Sequence, residues 1–291
     1  MFRGSNVALV TPMSVSGAID FAALERLLEF HIAEGTDGVV IAGTTGESPT
    51  LASSELEALV AHSVQTVDGR IPVIAGSGAN STSKAVELCG VVEKAGADAA
   101  LVVTPYYNKP TQAGLLAHYE ALSQATALPI ILYNVPGRTC CDLLPETVAE
   151  LAQISTIVGL KEATPGIERL TRLRELCPED FCLLSGDDAT SMDFMLAGGH
   201  GVISVTANVA PRLMHGLCVA AGAGESRKAA SINDRLQGLH VGLFIESNPI
   251  PVKWAVSRMG LMEDGIRLPL TRLDEECRET VAAAMGRAGA E

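Results

Sequence analysis

A (β/α)8 barrel followed by a C-terminal helical extension is the fold this sequence predicts, on three observations. Short apolar runs recur about every thirty residues, they are continuous rather than alternating, and helical patterns separate them. Continuous runs mark strands buried on both faces, as in parallel sheets. A doubly wound open sheet shares these features and is the alternative. Eight βα units in about 220 residues favour the closed barrel.

The first strand is read at Val7-Ala8-Leu9-Val10. Asp20 can then cap a helix with Phe21, Leu24, Leu27, Leu28 and Ile32 on one face, stopped at Gly35. Gly38-Val39-Val40-Ile41-Ala42 is the second strand. Ser54-x-x-Glu57 reads as a capping box for a helix carrying Leu56, Leu59, Val60, Val64 and Val67. The third strand is Ile71-Pro72-Val73-Ile74-Ala75. A helix ending at Gly96-Ala97-Asp98 leads into the fourth, Ala99-Ala100-Leu101-Val102-Val103. The fifth is Pro129-Ile130-Ile131-Leu132-Tyr133, and the sixth is Ile157-Val158-Gly159-Leu160. Phe181-Cys182-Leu183-Leu184 and Gly201-Val202-Ile203-Ser204-Val205 complete the set. Beyond about residue 224 the strand rhythm stops, and residues 226–244, 249–260 and 274–288 read as helices. The expected division is a barrel over residues 1–224 and a helical domain over 225–291.

The chain has 291 residues, 47% hydrophobic and 19% charged, enough for a full core. No stretch approaches the roughly 18–20 uninterrupted apolar residues of a membrane span. The opening MFRGSNVALVTPM lacks a signal-peptide layout, so a cytoplasmic protein is expected. A net charge of −13 argues against nucleic acid as a partner, because phosphate contacts need clustered Lys and Arg. The seven cysteines are scattered, odd in number and without a C-x-x-C pair, and read as reduced thiols, mostly core fillers.

In a barrel, chemistry sits at the C-terminal ends of the strands. The sequence puts Thr44-Thr45 after the second, Tyr106-Tyr107 after the fourth, and Tyr133 and Arg138 at and beyond the end of the fifth. Lys161 follows the sixth, Gly186-Asp187 the seventh, and Ser204 is in the eighth. Three of four tyrosines stand at strand ends, although any one alone is more often a core aromatic with a wet hydroxyl. Lys161 alone reads as an exposed lysine past a strand. In this company it becomes a candidate nucleophile, because an amine at an apolar strand mouth is poorly hydrated.

Such a set suits an aldol reaction through an imine. Lys161 attacks a 2-oxo acid, the protonated imine draws off electrons, and the adjacent methyl becomes an enamine that attacks an aldehyde. No metal or other cofactor is called for, since the imine is the electron sink. Tyrosine hydroxyls linked through a threonine can shuttle protons, and Arg138 can grip a carboxylate in a fork. Gly43-Thr44-Thr45-Gly46-Glu47 has the glycines of a phosphate nest but no Lys-Ser/Thr, which argues against nucleotide. Asp187-Asp188 has no histidine spaced as a partner ligand and reads as a capping pair, and His200 as a turn residue.

Several motifs resemble the dihydrodipicolinate synthase family. They are Gly43-Thr44-Thr45-Gly46-Glu47-Ser48, Val103-Thr104-Pro105-Tyr106-Tyr107-Asn108, Tyr133-Asn134-Val135-Pro136-Gly137-Arg138-Thr139 and Gly159-Leu160-Lys161-Glu162-Ala163-Thr164. Ser185-Gly186-Asp187-Asp188 and Asn248-Pro249-Ile250-Pro251-Val252-Lys253-Trp254 match as well. The resemblance covers nearly the whole chain. It implies that pyruvate forms a Schiff base on Lys161 and that the enamine condenses with L-aspartate 4-semialdehyde, in lysine and diaminopimelate synthesis. It also implies a proton relay of Thr44, Tyr133 and Tyr107, with Tyr107 crossing a dimer interface. Thr45 would bind the pyruvate carboxylate, Arg138 the semialdehyde carboxylate, and Gly186 and Ile203 would line the pocket through backbone groups. Family members are usually homotetramers, dimers of dimers. Sialic-acid and sugar-acid lyases share barrel and lysine but usually have Ser-Thr at Thr44-Thr45 and lack the arginine, so Arg138 decides for the synthase. A silent binding paralogue is disfavoured by the intact Lys161, Tyr133, Tyr107 and Thr44. Pro165 departs from the family's usual glycine and would stiffen the loop beyond Lys161.

Feedback-sensitive relatives bind lysine near the positions matching Ser48, Pro49, Ser53, Leu56, Asn80, Lys84 and Tyr106. This chain keeps Ser48, Asn80 and Tyr106, but Ser53 and Leu56 replace histidines and Lys84 replaces a glutamate. Little inhibition by millimolar L-lysine is expected.

Overall fold

The computed structural model describes residues 2–290. Its first half runs β1 (Gly4–Ala8), α1 (Phe21–Ala33), β2 (Gly38–Ile41), α2 (Ser53–Val67), β3 (Val73–Gly76), α3 (Thr82–Lys94), β4 (Ala99–Val103) and α4 (Gln112–Ala125). Next come β5 (Ile130–Asn134), a short α5 (Pro136–Thr139), α6 (Pro145–Leu151), β6 (Ile157–Glu162), α7 (Ile167–Leu176), β7 (Cys182–Ser185), α8 (Ser191–Leu196), β8 (Gly201–Ser204) and α9 (Pro211–Gly222). Helices α10 (Ser226–Gly242), α11 (Ile250–Arg258) and α12 (Glu275–Ala288) follow. All eight strands pair in parallel in chain order, and β1 also pairs with β8, closing the barrel and excluding the open sheet.

Two apolar layers hold this together. Val7, Val39, Ala75 and Leu132 face outward and pack with Leu24, Leu59, Leu115 and Leu173 of the surrounding helices. Phe2, Ala8, Val40, Ile74, Leu101, Ile131, Leu184 and Ile203 fill the interior, with Tyr133 above them. The interior is therefore packed core, and only its C-terminal mouth is open to chemistry. Each fully buried Leu, Ile or Val contributes about 1.5–3 kcal/mol.

Local signals account for most element ends. Asp20 accepts from the Ala23 N–H at 3.0 Å and caps α1, and Gly35 follows its end at φ +84°, a left-handed position that glycine takes without strain. Differences from expectation have physical causes. Helix α2 starts two residues earlier than the Ser54 box implies: Glu55, not Glu57, reaches back to the Ala52 N–H at 2.9 Å. Arg267 grips the same Glu55 carboxylate, fixing it there. Strand β1 begins at Gly4, so polar Ser5 and Asn6 are buried strand residues, and Asn6 donates to the Phe2 carbonyl at 3.0 Å. Strand β6 runs through Glu162, which places Lys161 within the strand rather than after it. The cysteines are free thiols: Cys89, Cys141, Cys182 and Cys218 are buried and Cys140 is exposed. No helix among the described residues is long and apolar enough to cross a membrane.

Candidate active site

Register brings the central pair together. Lys161 lies beside Tyr133 of β5 on one side and Leu184 of β7 on the other. Side chains alternate along a strand, so Lys161 faces the interior and its neighbour Glu162 the helices. Lys161 is 6% exposed, and its Nζ stands 4.3 Å from the centroid of the Tyr133 ring. Gly186 closes the other side. A Cβ there would come 3.1 Å from Lys161 Cε and 2.8 Å from Ala163 Cβ, so the lysine stem occupies space only glycine leaves free. Ile203, 1% exposed, belongs to the interior cluster with Tyr133.

A cavity of about 410 Å3 opens beside Tyr133, and Lys161, Thr45, Gly186 and Ile203 are not among the residues that line it. Thr44, Tyr133 and Arg138 line it, as do Ser48, Pro49, Ser53, Leu56, Lys84 and Tyr106 from the expected lysine-binding group. Arg138 is exposed on α5 and makes no ion pair among the described residues, leaving its fork open. Tyr107 stands apart: it is 88% exposed, outside the cavity, with φ +75°. Among the described residues no side-chain hydrogen bond joins Thr44, Tyr133 and Tyr107. Asn80 is outside the cavity too, its carbonyl accepting from Asn108 Nδ2 at 2.8 Å. Lys84 gives its ammonium to Glu87 at 2.5 Å and to Ser53 Oγ at 3.1 Å, which offsets part of the repulsion it would exert on a cation.

Behind β5 and β6 lies a polar brace that the sequence reading missed. Glu162, 3% exposed, accepts from Arg169 Nε at 2.8 Å, from Asn134 Nδ2 at 3.2 Å and from the Thr164 N–H at 2.8 Å. Burial pushes the Glu162 carboxyl up, and the Arg169 charge and these donors pull against it. Arg169 also holds Asp142, at 2.8 Å, and Asn134 Oδ1 receives the Leu143 N–H at 3.0 Å. The residues adjoining Tyr133 and Lys161 in β5 and β6, and the end of the loop bearing Arg138, thus share one network. Glu162 and Asn134 stand next to Lys161 and Tyr133 in the motifs, which was the available signal.

The turn after β2 is tied to the C-terminal extension. Thr45, 2% exposed, accepts from Asn248 Nδ2 at 3.0 Å. Glu47, in the left-handed region at φ +59°, forms a buried ion pair with Lys253 of α11 and accepts from the Arg267 N–H at 3.1 Å. Burial pulls the Lys253 ammonium below the ordinary lysine value, and Glu47 opposes that pull. Gly46 packs closely there: a Cβ would stand 3.0 Å from the Ala42 backbone. Asp187 accepts from the Thr190 N–H and hydroxyl, at 3.0 and 2.7 Å. Asp188 takes the Val205 and Thr206 N–H groups at 2.9 Å each. His200 Nδ1 receives the Leu183 N–H at 2.9 Å in its turn.

Comparison with known proteins agrees with this geometry. The dihydrodipicolinate synthetase family model matches residues 1–288. A protein from Methylococcus capsulatus, named 4-hydroxy-tetrahydrodipicolinate synthase, is 59% identical over 289 residues, covering 99% of each chain. One of the same name from Shewanella baltica is 57% identical, over 99% of this chain and 98% of the other. The crystal structure of the chloride-inhibited dihydrodipicolinate synthase from Acinetobacter baumannii complexed with pyruvate superimposes at a TM-score of 0.98, with 49% identity and full coverage of both chains. With a family match over almost its entire length, this chain belongs to the dihydrodipicolinate synthetase family.

Proposed function

We propose that this chain is a 4-hydroxy-tetrahydrodipicolinate synthase, a lyase condensing pyruvate with L-aspartate 4-semialdehyde. The observation that carries the reading is Lys161: an amine on the inner face of β6, 6% exposed, packed against Gly186 and against Tyr133, which with Arg138 lines the cavity.

The Lys161 amine adds to the pyruvate carbonyl and water leaves, giving a protonated imine. The former methyl gives up a proton, and the electron pair of that C–H bond forms the enamine. The enamine carbon bonds to the semialdehyde carbonyl carbon, whose oxygen takes a proton. The amino group of the added substrate then attacks the imine carbon, closes the ring and expels Lys161. Tyr133, Thr44 and Tyr107 pass the protons, Thr45 binds the pyruvate carboxylate, and Arg138 receives the semialdehyde carboxylate. Gly186 and Ile203 contact the substrate through their backbone groups. Tyr107 is too exposed to serve its own chain's cavity, which supports a site completed by a second copy within a dimer of dimers. A barrel unit over 1–224, a helical unit over 225–291, and a cytoplasmic role in lysine and diaminopimelate synthesis belong to the same reading. L-Lysine should inhibit weakly even at millimolar concentration. Leu56 offers no polar partner, and Lys84 with Glu87 presents a closed ion pair. Inhibition below millimolar in a steady-state titration would contradict this.

Borohydride reduction in the presence of pyruvate tests the assignment. The peptide holding Lys161 should gain a pyruvate-derived adduct, absent without pyruvate. An adduct on another lysine, or none, would overturn it.

A further inference from the structure

Thr45 and Asn248 are 203 positions apart, yet meet at 3.0 Å, and both are nearly buried at 2% and 6% exposure. The contact is held from both sides: Glu47, two residues beyond Thr45, is paired with Lys253, one turn into α11 beyond Asn248. A threonine hydroxyl carries one proton and two acceptor sites. The Asn248 amide N–H fills an acceptor site. Among the described residues the hydroxyl donates to nothing, so its proton remains uncommitted. The opposite amide orientation would take that proton into the Asn248 carbonyl. It would also bury an NH2 group where the Asn248 Oδ1 now lies without a partner. Orphaned N–H groups are rarer in native structures than under-satisfied carbonyls.

We infer that Asn248 is a positioning residue: it orients the Thr45 hydroxyl so that its proton is donated to the carboxylate of the incoming 2-oxo acid. The inference rests on the reading of Thr45 as the group that binds that carboxylate. It makes the C-terminal extension a working part of pyruvate recognition, although Asn248 itself does not touch the reacting carbon.

Steady-state kinetics with both substrates on the full-length enzyme test it. Asn248→Ala should raise KM for pyruvate about 3- to 10-fold, the range of one neutral hydrogen bond, with kcat and the semialdehyde KM within about 2-fold. In a Thr45→Val background the same change should add less than about 2-fold, because the hydroxyl it orients is gone. Asn248→Asp keeps the shape but offers only acceptors, so it should raise pyruvate KM by more than about 10-fold. If Thr45→Val alone leaves pyruvate KM unchanged, the carboxylate-binding reading of Thr45 fails. If Thr45→Val raises it but Asn248→Ala costs the same in both backgrounds, the positioning role fails while that reading stands. An unchanged pyruvate KM in Asn248→Asp also overturns the positioning role, and this variant preserves packing should Asn248→Ala fold poorly.

Discussion

Replacing Lys253 with methionine isolates one buried charge at the edge of the site. Glu47 and Lys253 have side chains 1% exposed, so each ion has lost its water and relies on the other. Methionine matches the lysine stem in length but leaves the Glu47 carboxylate facing apolar atoms. Removing one member of a buried pair costs about 3–5 kcal/mol. Glu47 keeps the Arg267 N–H at 3.1 Å, which places the expected loss near 3 kcal/mol. The pair also holds Glu47 at φ +59°, a conformation costing a non-glycine residue about 1 kcal/mol, so the loop should relax when the pair is lost. Thr45, two residues away, would shift with it, and pyruvate KM should rise. Urea unfolding at neutral pH measures the first effect and steady-state kinetics the second. The double variant Glu47→Gln/Lys253→Met should recover much of the stability, because no charge is then stranded. A loss below about 1 kcal/mol in Lys253→Met, or a double variant as unstable as the sum of the singles, would refute the reasoning.

The remaining expectations are narrower. Gly186→Ala should cut kcat by at least about 10-fold while the protein still folds, since the new methyl displaces the Lys161 stem and overpacking costs about 1–3 kcal/mol; an unchanged kcat would remove Gly186 from the site. Burial holds the His31 imidazole down at about 3, below its ordinary 6.5, so the unfolded chain binds the proton first as pH falls. Its contribution is therefore complete above about pH 6.5 and declines by about 1.4 kcal/mol per unit toward pH 3; urea unfolding of His31→Asn across that window should show a slope shallower by about that amount. Arg138→Ala should raise KM for the semialdehyde far more than KM for pyruvate, and equal changes would make the arginine structural. Mixing inactive Lys161→Ala with inactive Tyr107→Phe subunits should restore activity if Tyr107 acts across an interface, because one mixed site then has both residues; a silent mixture places Tyr107 in its own chain's site.

What the sequence determined by itself is whatever repeats locally. Continuous apolar runs such as Ala99-Ala100-Leu101-Val102-Val103 mark strands because burial on both faces demands them, and their period yields the barrel. From the barrel follows the mouth, and from the mouth Lys161, Tyr133, Thr44 and Arg138, since strand ends are where side chains converge. The tertiary structure decided what local pattern does not encode. It placed Lys161 inside β6, because pairing with β5 and β7 extends the strand beyond its apolar run. It left Tyr107 exposed, outside the cavity of its own chain. It also chose the partners of Glu47, Thr45 and Glu162, which are Lys253, Asn248 and Arg169. Each reads alone as an ordinary polar residue near a turn. Nothing within a few residues shows that Glu47 loses its water, because the atoms that exclude it arrive from 206 positions away. Burial, and with it the strength of every charge and hydrogen bond around the site, is set by packing over that distance.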